Sequence, residues 1–202
     1  MEERLKSMKV NKKIQAVINR IITIFGIGIL LSAIGLSITS KQISTFYNET
    51  YANSSLQMEI RKDLQYCGKH LLWSVSVSDP KQITEHMAIV DSAVKNMKTN
   101  IALLEETYDH EDAITQLDSL WNEFLDLHAQ METHVDQNNK VDGIMLYVGT
   151  YENVVTELQN VLLEIGDDTD IHAKEEYSAI SMTANALVAL LIIVLIVAAL
   201  IG

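Results

Sequence analysis

Two long, uncharged apolar blocks near the ends of the chain constrain its fold more than any other feature. They cover residues 21–38 and 182–201, and neither contains Asp, Glu, Lys or Arg. A bilayer hydrocarbon core is about 30 Å thick and a helix rises about 1.5 Å per residue, so roughly 18 to 20 residues make one crossing. Within lipid, a single segment satisfies its backbone hydrogen bonds only as a helix. We therefore predict transmembrane helices over residues 21–40 and 182–201.

Each block has a competing interpretation. Residues 21–38 could be a secretory signal peptide, but they exceed the usual apolar region, and residues 37–41 lack an Ala-x-Ala cleavage pattern. Residues 182–201 could be a buried core helix, but they are apolar on every side, with no polar face to turn toward water. Two retained membrane spans are the favoured interpretation.

Basic residues set the expected orientation. Residues 1–20 contain six Lys and Arg against two Glu, and such an excess of positive charge marks the cytoplasmic side. Residues 41–181 should then lie outside the cell membrane. That segment has nine Lys and Arg against 25 Asp and Glu, so the net charge of −12 divides into +4 before the first span and −16 outside. Nucleic acid is therefore not an expected partner.

The segment over residues 41–181 has the pattern of four helices. The whole chain contains one Pro and eight Gly, and Asp79 followed by Pro80 is a typical helix start. Apolar residues at alternating spacings of four and three predict helices over about 80–107, from about 113 to 135, and from 140 into the second span. The same stripe runs from the first span to Val75. Short connections make consecutive helices antiparallel, so we predict an all-α, membrane-anchored, up-down-up-down four-helix bundle.

The outer helices are longer than the inner ones, which leads to a prediction about assembly. Their membrane-proximal ends should extend beyond their neighbours, and residues 166–170 interrupt the apolar seam there with groups that need water or a partner. We therefore expect a homodimer. The single cysteine, Cys67, has no partner within the chain, which leaves an intersubunit disulfide as an open alternative.

Several strings on the first and last helices resemble a known family. On the first helix they are Phe46-Tyr47-Asn48 with Tyr51, residues 61–65 and residues 68–73, and on the last helix residues 153–162. With the layout of the whole chain, they resemble the sensor half of bacterial methyl-accepting chemotaxis proteins that have a four-helix-bundle ligand-binding domain.

The resemblance implies a receptor whose cytoplasmic part follows the second span. Such receptors continue into a signal-relay module and a long helical hairpin with methylated glutamates, which binds a histidine kinase and its adaptor. None of this lies within residues 1–202, so we expect a piece of a receptor, its isolated sensor half or a truncated product. Contacts with the kinase and adaptor would require the missing cytoplasmic domains.

The resemblance also places ligands near the first and last helices, where the sequence offers five candidates. Arg61 can hold a carboxylate by two parallel hydrogen bonds, and Gln57 and Gln65 share its stripe. That stripe, with the small Gly68, could face a dimer partner. Tyr147 and Tyr151 could stack on a small organic ligand. The alternatives are a surface arginine paired with Asp63 or Asp118, and core packing for both tyrosines.

No catalytic residue, metal ligand or cofactor is predicted. The chain has no glycine-rich phosphate loop, no His-Glu-x-x-His motif and no nucleophile with a nearby base, so an enzyme is not expected. His128, Glu132 and His134 are interpreted as surface residues because a six-residue spacing points the two histidines apart around a helix. Trp73 and Trp121 are interpreted as core.

The expected function is extracytoplasmic sensing and transmembrane signalling at the cell membrane. A small-molecule or protein ligand would move the fourth helix and with it the second span. Two alternatives share the architecture: the sensor half of a membrane histidine kinase or cyclase, and a structural helical bundle that senses nothing. The residues of this chain do not identify the ligand.

Overall fold

The structure is a computed structural model that describes the backbone of residues 2–201 and the side chains of residues 9–12 and 14–200. The side chains of Arg4, Lys6 and Lys13, which contribute to the expected orientation, lie outside this described part. The described backbone is helical apart from short connections. Its six α-helices are α1 (Glu2–Thr45), α2 (Tyr51–Ser76), α3 (Pro80–Thr107), α4 (Glu111–Asp136), α5 (Lys140–Leu146) and α6 (Glu152–Ile201).

Two π-helical segments of a single turn each connect α-helices that lie on one continuous helical path. Phe46–Thr50 lies between α1 and α2, and Tyr147–Tyr151 lies between α5 and α6. The helical path is therefore uninterrupted from Lys9 to Ser76 and from Lys140 to Leu200. The predicted continuity of the outer helices with the two apolar segments is confirmed.

The predicted helix start at residues 79 and 80 is confirmed in detail. The Asp79 carboxylate accepts a hydrogen bond from the backbone N–H of Lys81 at 3.0 Å, and Pro80 takes the first helical position. A carboxylate cap satisfies an N–H group that has no partner within the helix. The gap between the third helix, predicted to end near 135, and the fourth, predicted to start at 140, holds a turn at residues 137 and 138. Asn138 adopts φ 52° there, a left-handed conformation that asparagine tolerates better than most residues.

Residues 47–173 form one compact unit, and cross-helix contacts within it give the helix directions. Between α2 and α3, Asn53 is hydrogen-bonded to Thr107 and His70 to His86. The residue number therefore decreases along α3 as it increases along α2. The pairs Gln57–Gly166 and Gly68–Tyr147 relate α2 to the α5–α6 segment in the same way. The helix α2 is therefore antiparallel to α3 and to the α5–α6 segment, and the four packed helices form a bundle.

The core of this unit follows the predicted stripes closely. Fully buried side chains include Leu64, Leu71, Met97, Phe124 and Leu162, one or more from each helix of the bundle. Burying one such side chain contributes about 1.5–3 kcal/mol. The bundle is thus stabilised mainly by the apolar faces that the four-three spacing predicts.

The prediction was wrong at the start of the last helix. The four-three spacing of apolar residues that predicts this helix includes Ile144 and Val148 and places them on its buried seam, but their side chains are 38% and 59% exposed. A π-helical turn accommodates an extra residue and rotates the helix face on either side of it. The turn at Tyr147–Tyr151 therefore changes the buried set to Gly143, Tyr151, Val154 and Leu158.

Residues 1–46 and 174–202 form a second compact unit, which contains α1 and the end of α6. Both helices carry long apolar stretches that are long enough to cross a membrane, and most of their apolar side chains are exposed. They meet at two glycines of α1. A Cβ added at Gly28 would lie 2.9 Å from Val194, and one added at Gly35 would lie 2.0 Å from Leu187. Small residues at such positions let two helix backbones approach closely.

Candidate functional site

Of the five predicted ligand residues, Gln57, Arg61 and Gln65 lie on α2, and Tyr147 and Tyr151 lie in the π-helical turn between α5 and α6. Gln57 is buried, Arg61 is half-buried and Gln65 is exposed. Tyr147 is half-buried and Tyr151 is fully buried. The five residues therefore differ in how accessible they are to any ligand.

Gln57 and Arg61 form a polar patch one turn apart on α2. The Gln57 Oε1 and the Arg61 Nε atoms are both buried, and neither has a hydrogen-bond partner among the described residues. Gln57 packs against Gly166 of α6, where an added Cβ would lie 2.8 Å from its Nε2 atom. Buried polar atoms are costly when they lack a partner, so this patch can accept a ligand group or water.

The alternative interpretation of Arg61 was a surface residue in an ion pair with Asp63 or Asp118. In the described part of the chain, Asp63 instead lies 3.7 Å from the Lys62 ammonium. The guanidinium therefore keeps hydrogen-bonding capacity for a carboxylate.

Tyr147 and Tyr151 form a second, separate group. Their rings stack at 5.3 Å, and the Tyr151 ring also packs on Phe124 at 5.5 Å. The Tyr151 hydroxyl lies 3.4 Å from the Cys67 sulfur, and burial raises the pKa of this phenol well above its usual range. Tyr151 is therefore a core residue, which matches the alternative interpretation.

The two groups do not share one pocket. Gln57 faces Gly166, whereas Tyr147 lies over Gly68, and eleven residues of α2 separate these contacts, which is about 16 Å along the helix. Gln57 and Gly68 are both buried against the same chain. This part of the stripe packs inside the bundle.

A polar cluster that the sequence analysis did not identify lies near the connection between α3 and α4. His110, Asp168 and His172 each offer a ligand atom, and these atoms lie within 4.8 Å of one another. His110 Nε2 is 3.3 Å from Asp168 Oδ2, and His172 Nε2 is 3.8 Å from Asp168 Oδ1. The Tyr108 hydroxyl donates a hydrogen bond to Asp168 Oδ2 at 2.9 Å.

One sequence signal could have found two of the three residues of this cluster. Asp168 and His172 are four residues apart, so they share one helix face. His110 lies 58 residues earlier, and only the packing of the bundle brings it to the same place.

The cluster also changes the interpretation of residues 166–170. These groups were expected to need water or a second chain, but Asp168 is partnered within the chain and the Thr169 hydroxyl donates to the Ile165 carbonyl at 2.6 Å. The contacts Asn53–Thr107 and His110–His172 show that α3 and α4 reach nearly to the ends of the unit. Residues 166–170 therefore lie in the packed four-helix part of this unit, and the homodimer stays a prediction.

A histidine pair connects α2 and α3 elsewhere in the bundle. His70 Nδ1 and His86 Nδ1 are 2.7 Å apart, and the Trp73 ring lies 5.5 Å from that of His86. Burial lowers the pKa of His70, and the neighbouring His86 and Lys69 lower it further. A single hydrogen bond between the two imidazole rings therefore links α2 and α3.

The two tryptophans and His128 differ in how far their burial agrees with the sequence-based prediction. Trp121 is buried as predicted, but Trp73 is 50% exposed and is not a core residue. His128 was interpreted as a surface residue, and this was wrong because its side chain is stacked on Phe124 and only 6% exposed. Aromatic neighbours on the same face explain its burial.

The chain matches no protein-family model, and no curated protein or solved structure is significantly similar to it. The structure therefore shows an all-helical protein with a four-helix bundle and two long apolar helices, without identifying a family.

Proposed function

We propose that the chain is the input half of a transmembrane receptor of the methyl-accepting chemotaxis type. One observation carries the proposal: α6 is a single helix from Glu152 to Ile201. It contains core residues of the bundle, such as Leu158 and Leu162, and also the apolar segment after Met182. A displacement of the bundle portion along the helix axis would therefore carry the apolar segment with it.

The layout of charge and hydropathy supports this orientation. A basic N-terminal segment precedes the first apolar helix, and the segment between the two apolar helices is strongly acidic. The positive-inside rule then places the bundle outside the cell membrane and both termini in the cytoplasm. In this orientation the chain is a two-pass protein of the cell membrane.

The patch at Gln57 and Arg61 is the proposed place of ligand action. A carboxylate bound by Arg61 would lie one helical turn from the close contact of Gln57 with Gly166. Helix shifts at such interfaces are typically about 1–2 Å. A ligand shifts the equilibrium only by its difference in affinity for the two positions, so a modest preference is enough to bias α6.

The resemblance adds the partners of the proposal. The receptor would act as a homodimer, and its kinase and adaptor would bind a cytoplasmic part that follows the second apolar helix. The coding sequence downstream of Gly202 tests this directly. A relay module with heptad-rich helices would support a chemotaxis receptor, a kinase or cyclase domain would reassign the output, and a stop codon would contradict the proposal.

A hybrid protein tests signalling itself. Residues 1–202 are joined to the cytoplasmic part of a characterised chemoreceptor, and kinase activity is measured for Gly166→Ala and Gly149→Ala. An added Cβ at Gly166 would press on the Gln57 amide, whereas at Gly149 it meets no atom within 4 Å. We expect Gly166→Ala to shift kinase activity several-fold, because allosteric coupling is typically about 1–3 kcal/mol, and Gly149→Ala to leave it unchanged. Equal output from both variants in a folded, inserted hybrid would contradict the proposal.

A further inference from the structure

We propose that His110, Asp168 and His172 form a binding site for a divalent transition-metal ion of the Zn²⁺ class. The three side chains come from two places in the fold. His110 precedes α4, and its side chain makes no capping hydrogen bond to that helix. Asp168 and His172 lie one turn apart on α6, and all three ligand atoms are within 4.8 Å of one another.

The donor set selects the class of ion. Two imidazole nitrogens and one carboxylate oxygen suit Zn²⁺ and similar first-row metals, whereas Mg²⁺ and Ca²⁺ prefer oxygen ligands alone. Three protein ligands leave one position of a tetrahedral site for water or another group. The site would therefore bind zinc with an open coordination position.

The two histidines contact different oxygens of the Asp168 carboxylate, and the three ligand atoms lie within 4.8 Å of one another, so the side chains must move closer together around an ion. Tetrahedral ligands at about 2.0–2.1 Å from zinc are about 3.4 Å from one another. The His110 Nε2 to Asp168 Oδ2 distance is 3.3 Å, and the His172 Nε2 to Asp168 Oδ1 distance is 3.8 Å. Both histidine side chains are 53% exposed, so their rings can rotate without disturbing the core.

Tyr108 positions two of the ligands. Its hydroxyl donates to Asp168 Oδ2 at 2.9 Å, and its ring stacks on that of His110 at 5.1 Å. A hydrogen bond from outside the ligand set orients a metal-binding carboxylate and commonly affects affinity by about 10- to 100-fold. Tyr108 is thus a positioning residue for this site.

The surroundings favour a cation. An open depression beside Tyr108 is lined by acidic residues from three segments, namely Glu49, Glu105, Glu106, Asp109 and Glu111. Burial raises the pKa of the Glu105 carboxyl, and the neighbouring Asp118 raises it further. Clustered negative charge at a concave surface raises the local concentration of cations.

The first experiment measures zinc binding to the full chain in lipid nanodiscs, by competition with a chromophoric chelator. We expect one Zn²⁺ per chain. Each of His110→Ala, Asp168→Asn and His172→Ala should weaken zinc binding at least about tenfold, because each removes a direct ligand. Tyr108→Phe should weaken binding less while keeping one ion per chain.

The histidine pair His70 and His86 is the rival site in the same protein. The double variant His70→Ala/His86→Ala is therefore the matched control, and it should bind zinc like the wild type. Unchanged binding in His110→Ala and His172→Ala, or loss of binding in the control, would overturn the proposal. So would the absence of Zn²⁺ binding by the wild type at micromolar concentrations.

A second measurement guards against variants that fail to fold. Helical circular dichroism must match the wild type, and Co²⁺ should show the visible absorption bands of a tetrahedral site only when all three ligands are present. Excess Mg²⁺ should not displace either metal, because it prefers oxygen ligands. A cobalt spectrum unaffected by His172→Ala would contradict the assignment.

The ion would tie the α3–α4 connection to α6, and any effect of this on signalling rests on the proposed function. The metal-site proposal and the receptor proposal can be contradicted independently of each other. Zinc binding without a change in kinase activity of the hybrid would leave the metal site standing and reject its role as a signal. Kinase modulation by Gly166→Ala in a protein that binds no zinc would leave the receptor proposal standing.

Discussion

Polar side chains inside the bundle have environments unlike those on its surface, and Cys67 is the clearest example. Its side chain is fully buried beside the Tyr151 hydroxyl. Burial raises the pKa of the thiol to about 12, and the thiolate is the reactive form. A fully buried thiol also cannot reach a second chain, so the structure argues against an intersubunit disulfide.

We therefore expect Cys67 to resist alkylation in the folded protein. At pH 8 its modification by a maleimide should be at least about 100-fold slower than in the unfolded chain. The matched control is the Cys67→Ser/Tyr66→Cys variant, which moves the thiol to a neighbouring position that is 49% exposed in the wild type. Rapid labelling of native Cys67 would contradict the buried position.

His128 leads to a prediction about pH. Burial lowers the pKa of this imidazole below its ordinary value of 6.5, and the carboxylates of Glu132 and Asp91 oppose the shift only in part. The unfolded state therefore takes up the proton first as pH falls, and it binds more protons than the folded state below about 6.5. Stability should decrease as pH drops through this value.

The measurement is the thermal unfolding midpoint of the full chain at pH 8 and pH 5.5, with a chelator present. His128→Leu should reduce the difference between the two pH values, because it removes the group whose protonation opposes folding. Gln130→Leu, an exposed site on the same helix, should leave the difference unchanged. His70 shifts in the same direction, so part of the dependence should remain in His128→Leu.

At the scale of elements, the packing of α5 depends on a missing side chain. A Cβ at Gly143 would lie 2.3 Å from Val75 Cγ2 and 3.1 Å from His134 Cβ. Val75 is stiff at χ1 and buried, so the clash can be relieved only by moving α5 away from α2. Gly149 lies six residues later, and a Cβ there meets no atom within 4 Å.

Alanine should consequently have opposite effects at these two glycines. Gly143→Ala should destabilise the protein by about 1–3 kcal/mol through overpacking. Gly149→Ala should stabilise it by about 0.5–1 kcal/mol, because glycine loses more conformational freedom on folding than alanine does. Denaturant unfolding of both variants measures the difference, and similar effects at the two sites would contradict the close contact with Val75.

For the whole molecule, the central expectation is the arrangement across a membrane. Single cysteines are placed in a Cys67→Ser background at Asn11 and at Gln130, both of which are exposed. A membrane-impermeant maleimide should label the Gln130→Cys protein in intact spheroplasts. The Asn11→Cys protein should react only after permeabilisation, because the basic segment stays in the cytoplasm. The reverse pattern would place the bundle in the cytoplasm and contradict the receptor proposal. Labelling of both proteins in intact spheroplasts would show that residues 21–40 do not cross the membrane.

Sequence periodicity was sufficient for most of the architecture because it reflects local rules. The Asp79 cap, the turn at residues 136–139 and the apolar stripes of α2, α3 and α4 each depend on residues close in the chain. The two apolar segments were equally readable, since their length and lack of charge act within one helix. These features follow from spacing alone.

The remainder was decided by which residues the bundle brings together. The π-helical turn at Tyr147–Tyr151 shifted the buried face, and no local pattern distinguished it from a regular α-helix. Of the candidate ligand residues, Gln57 and Arg61 became one patch while Tyr151 became core. His110 reached Asp168 and His172 only because the packed helices align residues that are 58 and 62 positions apart in the chain. Short-range spacing determines the helices and their faces, whereas contacts over such separations arise only when those faces pack, because burial depends on the partner surface as well as on the residue.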